Sequence, residues 1–424
     1  MQSKLTRRTV LGLMAGTVVS AVAASAVRAQ SAPAVRKKTE LNYWTWSDNP
    51  DHQKRLLAAV DGFNKSQDLI NVTIDATSRT EELRQKVAVA FSAGAAPDIA
   101  GTVQTTVQDW YNSEILSPLD DYFSKWDEKD DYFPSIVKSM HVTDDQPALY
   151  LPVATLPYVL YYRADWFDEA GIKPPATYDD FIAAAKTIAQ TPGRIGYALR
   201  GADYFGTQVI EPIWGSAGVD FVKADGTVDF DSDAARGVTE KWVGMFTKDK
   251  SVQPSAVTDG YPELFSLMES GKAGMWIYGA HGFPQLNKAL GDKIQAVPTP
   301  TAGARNCMLN NPTGNFIVSS SQNKDAAWEF IRYMSSGDVA ITLGPERGYM
   351  PVRASLAENP VVTNNRVLGI VRKNADNWWN PPFQSENWVN YQNSIAPYWQ
   401  QVLRQEITVE QYQARAAGLL RGER

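Results

Sequence analysis

Cysteine is nearly missing. The 424-residue sequence holds one, Cys307, so no internal disulfide can form even in a compartment that permits one, and a small buried apolar role is expected for it. Histidine is scarce too: His52, His141 and His281 lie far apart, with no cysteine or carboxylate at ligand spacing, so no metal centre is expected. There is no Gly-x-Ser-x-Gly elbow, no phosphate loop and no His-Glu-x-x-His pair. These gaps leave no cofactor to expect and no catalytic motif to assign. No repeat of fixed period is visible. Beyond the first 29 residues no window has the roughly 18 uncharged apolar residues that a membrane span needs. The best apolar stretches, 158–162 and 275–278, are strand-sized. Basic charge is also in deficit. Residues 1–29 carry Lys4, Arg7, Arg8 and Arg28 and no acid, so their removal takes the formal charge from −6 to −10. An acidic surface sets aside nucleic acid and anionic lipid as partners, because binding phosphates by counterion release requires basic groups.

What is present begins with an address. Lys4, Arg7 and Arg8 precede an uncharged stretch, 11–26, and Val27-Arg28-Ala29 supplies a small-x-Ala cleavage pattern, so 1–29 is expected to be an export signal. Arg7-Arg8 within Thr6-Arg7-Arg8-Thr9-Val10-Leu11 resembles a twin-arginine signal, the alternative being an ordinary secretory signal. Either places the mature chain outside the cytoplasm. Residues 30–38, rich in Ala, Pro and Lys without periodicity, read as a flexible leader. Aromatics are abundant: 13 Trp and 18 Tyr are more than a core usually demands.

Period and punctuation then give an α/β order. Leu41 to Trp46 is a β-prone run stopped by Ser47-Asp48-Asn49-Pro50, and 53–65 places Leu56, Leu57, Val60 and Phe63 at helical spacing. A strand over 71–75, a helix over 81–93 and a strand entry at Ala96-Pro97-Asp98-Ile99 follow. This alternation predicts a largely parallel sheet, with ligands beyond the carboxyl ends of its strands. A second alternating region starts near Leu149: a strand over 158–162, a helix over 164–170 ended by Gly171, and a helix capped by Thr177. Strands over 196–199, 273–278 and Ile294–Val297 extend it, whereas 325–334, 394–404 and Val409–Leu420 read as helices.

Four passages, in this order and spacing, carry a family resemblance. They are Leu151-Pro152 with Leu160 to Gly171 and Pro174 to Phe181, then Gly271 to Gly279, then Asp325 to Ile331, and Arg347-Gly348-Tyr349-Met350-Pro351-Val352-Arg353. Together they resemble the extracellular solute-binding proteins that feed ABC importers for sugars, a class that includes the maltose-binding protein. The resemblance implies two α/β lobes of the periplasmic binding protein type, joined by several chain crossings, with the ligand held between them. It implies 39–153 plus 312–351 in the first lobe and 154–311 plus 352–424 in the second. A monomer in the periplasm, a small solute and the importer's permease subunits are the expected setting.

A sugar offers hydroxyls and apolar C–H faces, so its site should mix flat aromatics with Asp, Glu, Asn, Arg and Thr on cleft loops. Trp46, Ser47 and Asp48 end the first strand, the alternative being that alternate members, Tyr43 and Thr45 or Trp44 and Trp46, face the core. Glu81 opens a helix, as a cleft contact or as a complement to the helix dipole. Asp98 is a candidate, or else a turn residue. Gln104 follows a strand's carboxyl end. Tyr158 lies at the expected first crossing, as a stacking ring or a core tyrosine. Trp214 precedes a glycine, and Tyr278, Gly279 and His281 end a strand where glycine lets backbone approach a ligand closely. Thr313 sits in a polar return loop. Arg347 and Arg353 flank the third crossing, Arg353 as a structural ion pair. Trp378 and Trp379 fall in an aromatic loop in which at least one should act as an anchor. Two other readings stay open: an exported carbohydrate-active enzyme using acids such as Glu81, Asp98 and Glu346, and the same fold binding a glycerol phosphodiester, polyamine or other polar solute.

Overall fold

The computed structural model describes residues 35–47, 49–141, 143, 146–223, 225–303, 305–379 and 387–423. The expected export signal, most of the leader and Asp48 lie outside the described residues. Val35, expected in the flexible leader, packs against the core, and the first strand opens at Thr39. No helix among the described residues is long and apolar enough to cross a membrane.

The strands are β1 Thr39–Trp46, β2 Ile70–Ser78, β3 Ile99–Val103, β4 Leu151–Thr155, β5 Tyr158–Arg163, β6 Ile195–Tyr197, β7 Ala273–Gly279, β8 Ile294–Val297, β9 Met308–Leu309, β10 Pro312–Ile317, β11 Met350–Pro351 and β12 Trp378–Trp379. The first lobe's sheet runs β11-β4-β10-β3-β1-β2 and the second's runs β6-β7-β5-β8; β9 and β12 form a separate pair. Both larger sheets are mixed, which corrects the expectation of a largely parallel one. β1 pairs in parallel with β2 and β3, but β10 is antiparallel to β3 and β4, and β4 to β11. The antiparallel members are the strands that carry the chain between lobes. Local periodicity does not encode the sense of a strand returning from a distant lobe.

Local signals act where they were expected. Asn49 caps the helix Pro50–Ser66 by accepting from His52 N at 2.9 Å, and His52, Leu56, Val60 and Phe63 form its buried stripe. Leu57, expected on that stripe, is exposed, because 56, 60 and 63 already define the face. Gly171 ends the helix Ala164–Ala170 at φ 66°, and Thr177 caps Tyr178–Ala189 through Asp180 N. The helix expected over 394–404 starts six residues earlier, at Trp388. A start at 394 would put Pro397 in the first turn, where proline is tolerated. Burial of Trp388, Tyr391, Ile395 and Trp399 against the second lobe, about 2 kcal/mol each, carries the helix back through it instead.

The chain crosses between lobes from β4 to β5, from β9 to β10 and after β11. Arg353, expected to be structural, pairs with Glu128 at 2.6 Å and Asp131 at 2.9 Å, and Ser355 N donates to Asp131 at 2.9 Å. Residues 353–355, expected in the second lobe, are thus tied to the first.

Candidate functional site

In the first lobe, the carboxyl ends of β1, β3 and β4 and the amino end of β10 come to the same edge of the sheet. There they bound a recess of about 510 Å³ of empty space, open solvent included, lined among others by Tyr43, Thr45, Trp46, His52, Thr313, Asn315, Arg347 and Tyr349. Its wall is hydrogen-bonded. The Tyr43 hydroxyl donates to Asn315 Oδ1 at 2.8 Å, and Thr313 Oγ1 to Ala154 O at 3.3 Å. Arg347 Nη1 donates to His52 Nε2 at 2.8 Å, which fixes that ring nitrogen as an acceptor, since guanidinium can only donate. The Arg347 guanidinium also lies 4.3 Å over the Tyr349 ring. Burial raises the Tyr43 phenol well above its ordinary value, so it stays a neutral donor.

The second lobe presents the carboxyl end of β7 and the amino end of β5, where Tyr158 pairs with Gly279. The Tyr278 hydroxyl and His281 Nε2 are 2.8 Å apart. Tyr158 donates to Gln208 at 3.2 Å, and desolvation pushes its phenol up to about 12. The lobes meet where Gly348, at φ 76°, packs on the Ala280–His281 backbone; a Cβ there would lie 2.5 Å from Ala280 O. Tyr349 and His281 face each other across this contact with ring centres 6.4 Å apart.

A cleft between two α/β lobes fits a binder, and the comparisons name one. The family described as bacterial extracellular solute-binding protein matches residues 47–340. The chain belongs to that family. A binding protein of Brucella abortus (strain 2308) is 27% identical over 292 residues, covering 68% of this solute-binding protein and 70% of the relative. Among solved structures, an ABC transporter solute-binding protein from Thermotoga lettingae, bound with α-D-tagatose, superposes with a TM-score of 0.77 at 22% identity, covering 91% of this chain and 99% of that one. The cyclic α-maltosyl-1,6-maltose binding protein from Arthrobacter globiformis does so with a TM-score of 0.79 at 19% identity, covering 91% and 98%.

Of the residues expected at this binding protein's cleft, Trp46, Thr313 and Arg347 line the recess, while Tyr158, Tyr278, Gly279 and His281 stand on the opposing edge. Ser47 follows the recess-lining Trp46 and donates to Ala76 O of β2 at 2.8 Å, tying the end of β1 to its neighbour. Gln104 is buried at the start of the helix Gln104–Asn112, with Oε1 lacking a partner among the described residues. Glu81 has its backbone in the first turn of Thr80–Ser92, and its side chain lies outside the described set. Gly279 and Gly282 are required by packing: a Cβ would lie 2.5 Å from His281 Nδ1 and 2.8 Å from Tyr278 Cδ1 respectively. The close approach expected of Gly279 toward a ligand is toward its own His281.

Two expectations, for Asp98 and Trp214, are corrected by where the residues sit, and the expected anchor of the Trp378–Trp379 pair is identified. Asp98 lies at the amino end of β3, away from the recess, and accepts from Asn42 N, Ser321 and Asn323 as a structural tie. Trp214 is fully buried in the second lobe, where its indole donates to Thr239 at 3.1 Å and packs edge-on against Phe230. Every residue of its helix, Glu211–Ser216, is buried, so no cleft wall is available to it. Trp378 is the anchor of its pair, packed against Phe133 at 4.9 Å, and Trp379 is half-buried over Gly215. The rest of that loop, 380–386, lies outside the described residues.

Sequence reasoning missed Tyr43, Thr45, His52 and Tyr349 as lining residues. Alternation in β1 left open whether Tyr43 and Thr45 or Trp44 and Trp46 face the core; Tyr43 and Thr45 are buried and also line the recess. It also missed Glu211. That carboxyl is fully buried, and neither oxygen has a hydrogen-bond partner among the described residues. Among the described residues the hydroxyls of Tyr204, Tyr391 and Tyr412 likewise make no hydrogen bond of normal geometry. Desolvation pushes Glu211 up to about 8, against a smaller opposing pull from Tyr204.

Proposed function

We propose that this protein captures a sugar, a mono- or oligosaccharide, by closing its two lobes and delivers it to the permease of an ABC importer. It acts as a periplasmic monomer, exported through the twin-arginine signal at Arg7-Arg8, and releases its ligand unchanged. The lobes are drawn as 39–153 with 312–351 and 154–311 with 352–424, apart from 353–355, which Arg353 and Ser355 tie to the first lobe. One observation carries this reading: the recess sets aromatic Trp46 and Tyr349 beside Thr313, Asn315, His52 and Arg347. Rings suit the C–H faces of a pyranose, and the polar groups suit its hydroxyls. The sugars named for the two structural neighbours are of the same class. Closure is the binding step, because each lobe supplies part of the contacts and only the closed form satisfies both.

Isothermal titration of the mature protein against sugars, polyols, polyamines and phosphate esters tests the reading. Sugars are expected to bind, with reducing ends constant over long incubation, and Trp46→Ala is expected to weaken binding at least about tenfold. Binding of a polyamine or phosphate ester alone, or accumulating reducing ends, would overturn it.

A further inference from the structure

His52 and Arg55 stand one turn apart on the helix Pro50–Ser66, and both reach the short turn Pro345–Arg347. Arg55 pairs with Glu346, and Arg347 Nη1 donates to His52 Nε2 at 2.8 Å. The helix thereby holds the turn that delivers Gly348 and Tyr349 to the second lobe. The two bonds differ in setting. Glu346 is 69% exposed, and a pair so open to water holds little. His52 is 4% exposed and lines the recess together with Arg347.

An imidazole nitrogen has one lone pair, and the guanidinium takes that of Nε2. What His52 gives a ligand through this nitrogen therefore passes through Arg347. Arg347 is half-buried, with Nη1 also directed to Leu343 O at 3.4 Å and the guanidinium over the Tyr349 ring. A long side chain free to rotate must be immobilised each time a ligand binds. One already held by a buried ring carries that ordering cost in the folded state instead.

The hold is conditional on charge. A proton on Nε2 removes the ring's only acceptor and sets imidazolium against guanidinium. The charged or titratable groups that share the recess with His52 are Tyr43, Arg347 and Tyr349. The helices Lys324–Met334 and Gly337–Leu343 present Met334, Ala340 and Leu343 there, and the lining residues of β4 and β10 are uncharged. On its own helix the charged neighbours are Asp51, Lys54 and Arg55, the last of them paired with Glu346. Asp48, four residues ahead, lies outside the described residues.

We propose that His52 is a positioning residue for the Arg347 guanidinium, which donates to the ligand in the recess, and that this makes capture sensitive to acid. Neutral His52 holds Arg347 in its binding pose, and protonated His52 releases it. The proposal rests on the sugar reading above, which supplies the hydroxyl that Arg347 donates to.

Titration calorimetry of the wild type, His52→Gln and His52→Ala against tagatose, glucose, maltose and maltotriose, at about pH 7.5, 6 and 5, tests it. Glutamine brings an amide oxygen close to the place of Nε2 and accepts at every pH. Wild-type affinity is expected to fall at least about threefold from pH 7.5 to 5, as the share of protein in the binding pose falls. His52→Ala is expected to lose about five- to tenfold at pH 7.5. His52→Gln is expected to recover most of that loss and to hold its affinity down to pH 5. The wild-type and glutamine arms decide the matter if the alanine variant fails to fold. Long-range proton–nitrogen NMR spectra of the three imidazoles read the tautomer directly, with His52→Gln supplying the assignment. Nε2 is expected without a proton at pH 7.5, and the midpoint at which it gains one is expected to move down when sugar binds. His52→Gln with the wild type's acid sensitivity, His52→Ala with wild-type affinity, or a proton on Nε2 at pH 7.5 would overturn the positioning role and leave the sugar reading standing. A wild type that binds none of these sugars, or only the polyamines and phosphate esters, overturns both.

Discussion

Glu211→Gln should stabilise this protein, and the gain should depend on pH. The carboxyl is fully buried without a hydrogen-bond partner among the described residues, and its folded-state value is raised from 4.5 to about 8. The unfolded chain therefore gives up this proton near pH 4.5, whereas the folded chain keeps it until about pH 8. Between those limits the folded state holds more protons, so stability falls as pH rises, and above the upper limit the loss is complete and constant. Each unit costs about 1.4 kcal/mol, which makes about 4 kcal/mol between pH 5 and 8. Glutamine has the shape of the neutral acid and no proton to lose. The variant and wild type should melt together near pH 5 and separate by about 10 °C near pH 8.5, taking about 2–4 °C per kcal/mol for a lobe of this size. Thermal denaturation in buffers spanning pH 5 to 9 reads this directly. Melting curves that shift in parallel at every pH, or a variant destabilised most at high pH, would refute it. The second outcome would mean that Glu211 is ionised and held by a counter-charge.

Two further substitutions separate structure from binding. Gly348→Ala puts a methyl into the Ala280–His281 backbone from a left-handed turn. It should hold the lobes apart, weakening ligand affinity at least about tenfold and enlarging the ligand-bound radius of gyration by small-angle scattering; unchanged affinity would show that the turn is not a closing contact. Asp98→Ala removes an acceptor for three donors at the far end of β3. It should cost about 2 kcal/mol in chemical denaturation with ligand affinity untouched, and lost affinity would return Asp98 to the site.

What the sequence made legible was local. Asn49, Thr177 and Gly171 act within three residues of themselves, and their cap and turn roles follow from short-range chemistry. The helix Val409–Leu420 matches its expected span because Thr408 and Gln411 close a capping box. Illegible features depend on what arrives from elsewhere. Trp214 and Trp379 both touch Phe221 in one aromatic cluster, yet one is sealed and the other half-open, according to which helices cover them. Nothing near Asp98 foretells that Ser321 and Asn323, more than 220 residues away, will claim its carboxylate. The site showed the same division. The ends of β1 and β7 were recognisable as cleft edges, but alternation in β1 did not choose whether Tyr43 and Thr45 or Trp44 and Trp46 turn inward, and the recess takes Tyr43, Thr45 and Trp46.

The strands that tie the lobes together lie side by side: β11, β4 and β10 are consecutive in the first lobe's sheet. Three adjacent ribbons joined by hydrogen bonds resist twisting and sliding far better than bending, as a piano hinge does. The lobes therefore have one soft coordinate between them. A spectroscopic ruler whose ends lie far from those strands on either side of the gap reports that motion, and a ligand need stabilise only one angle to be captured.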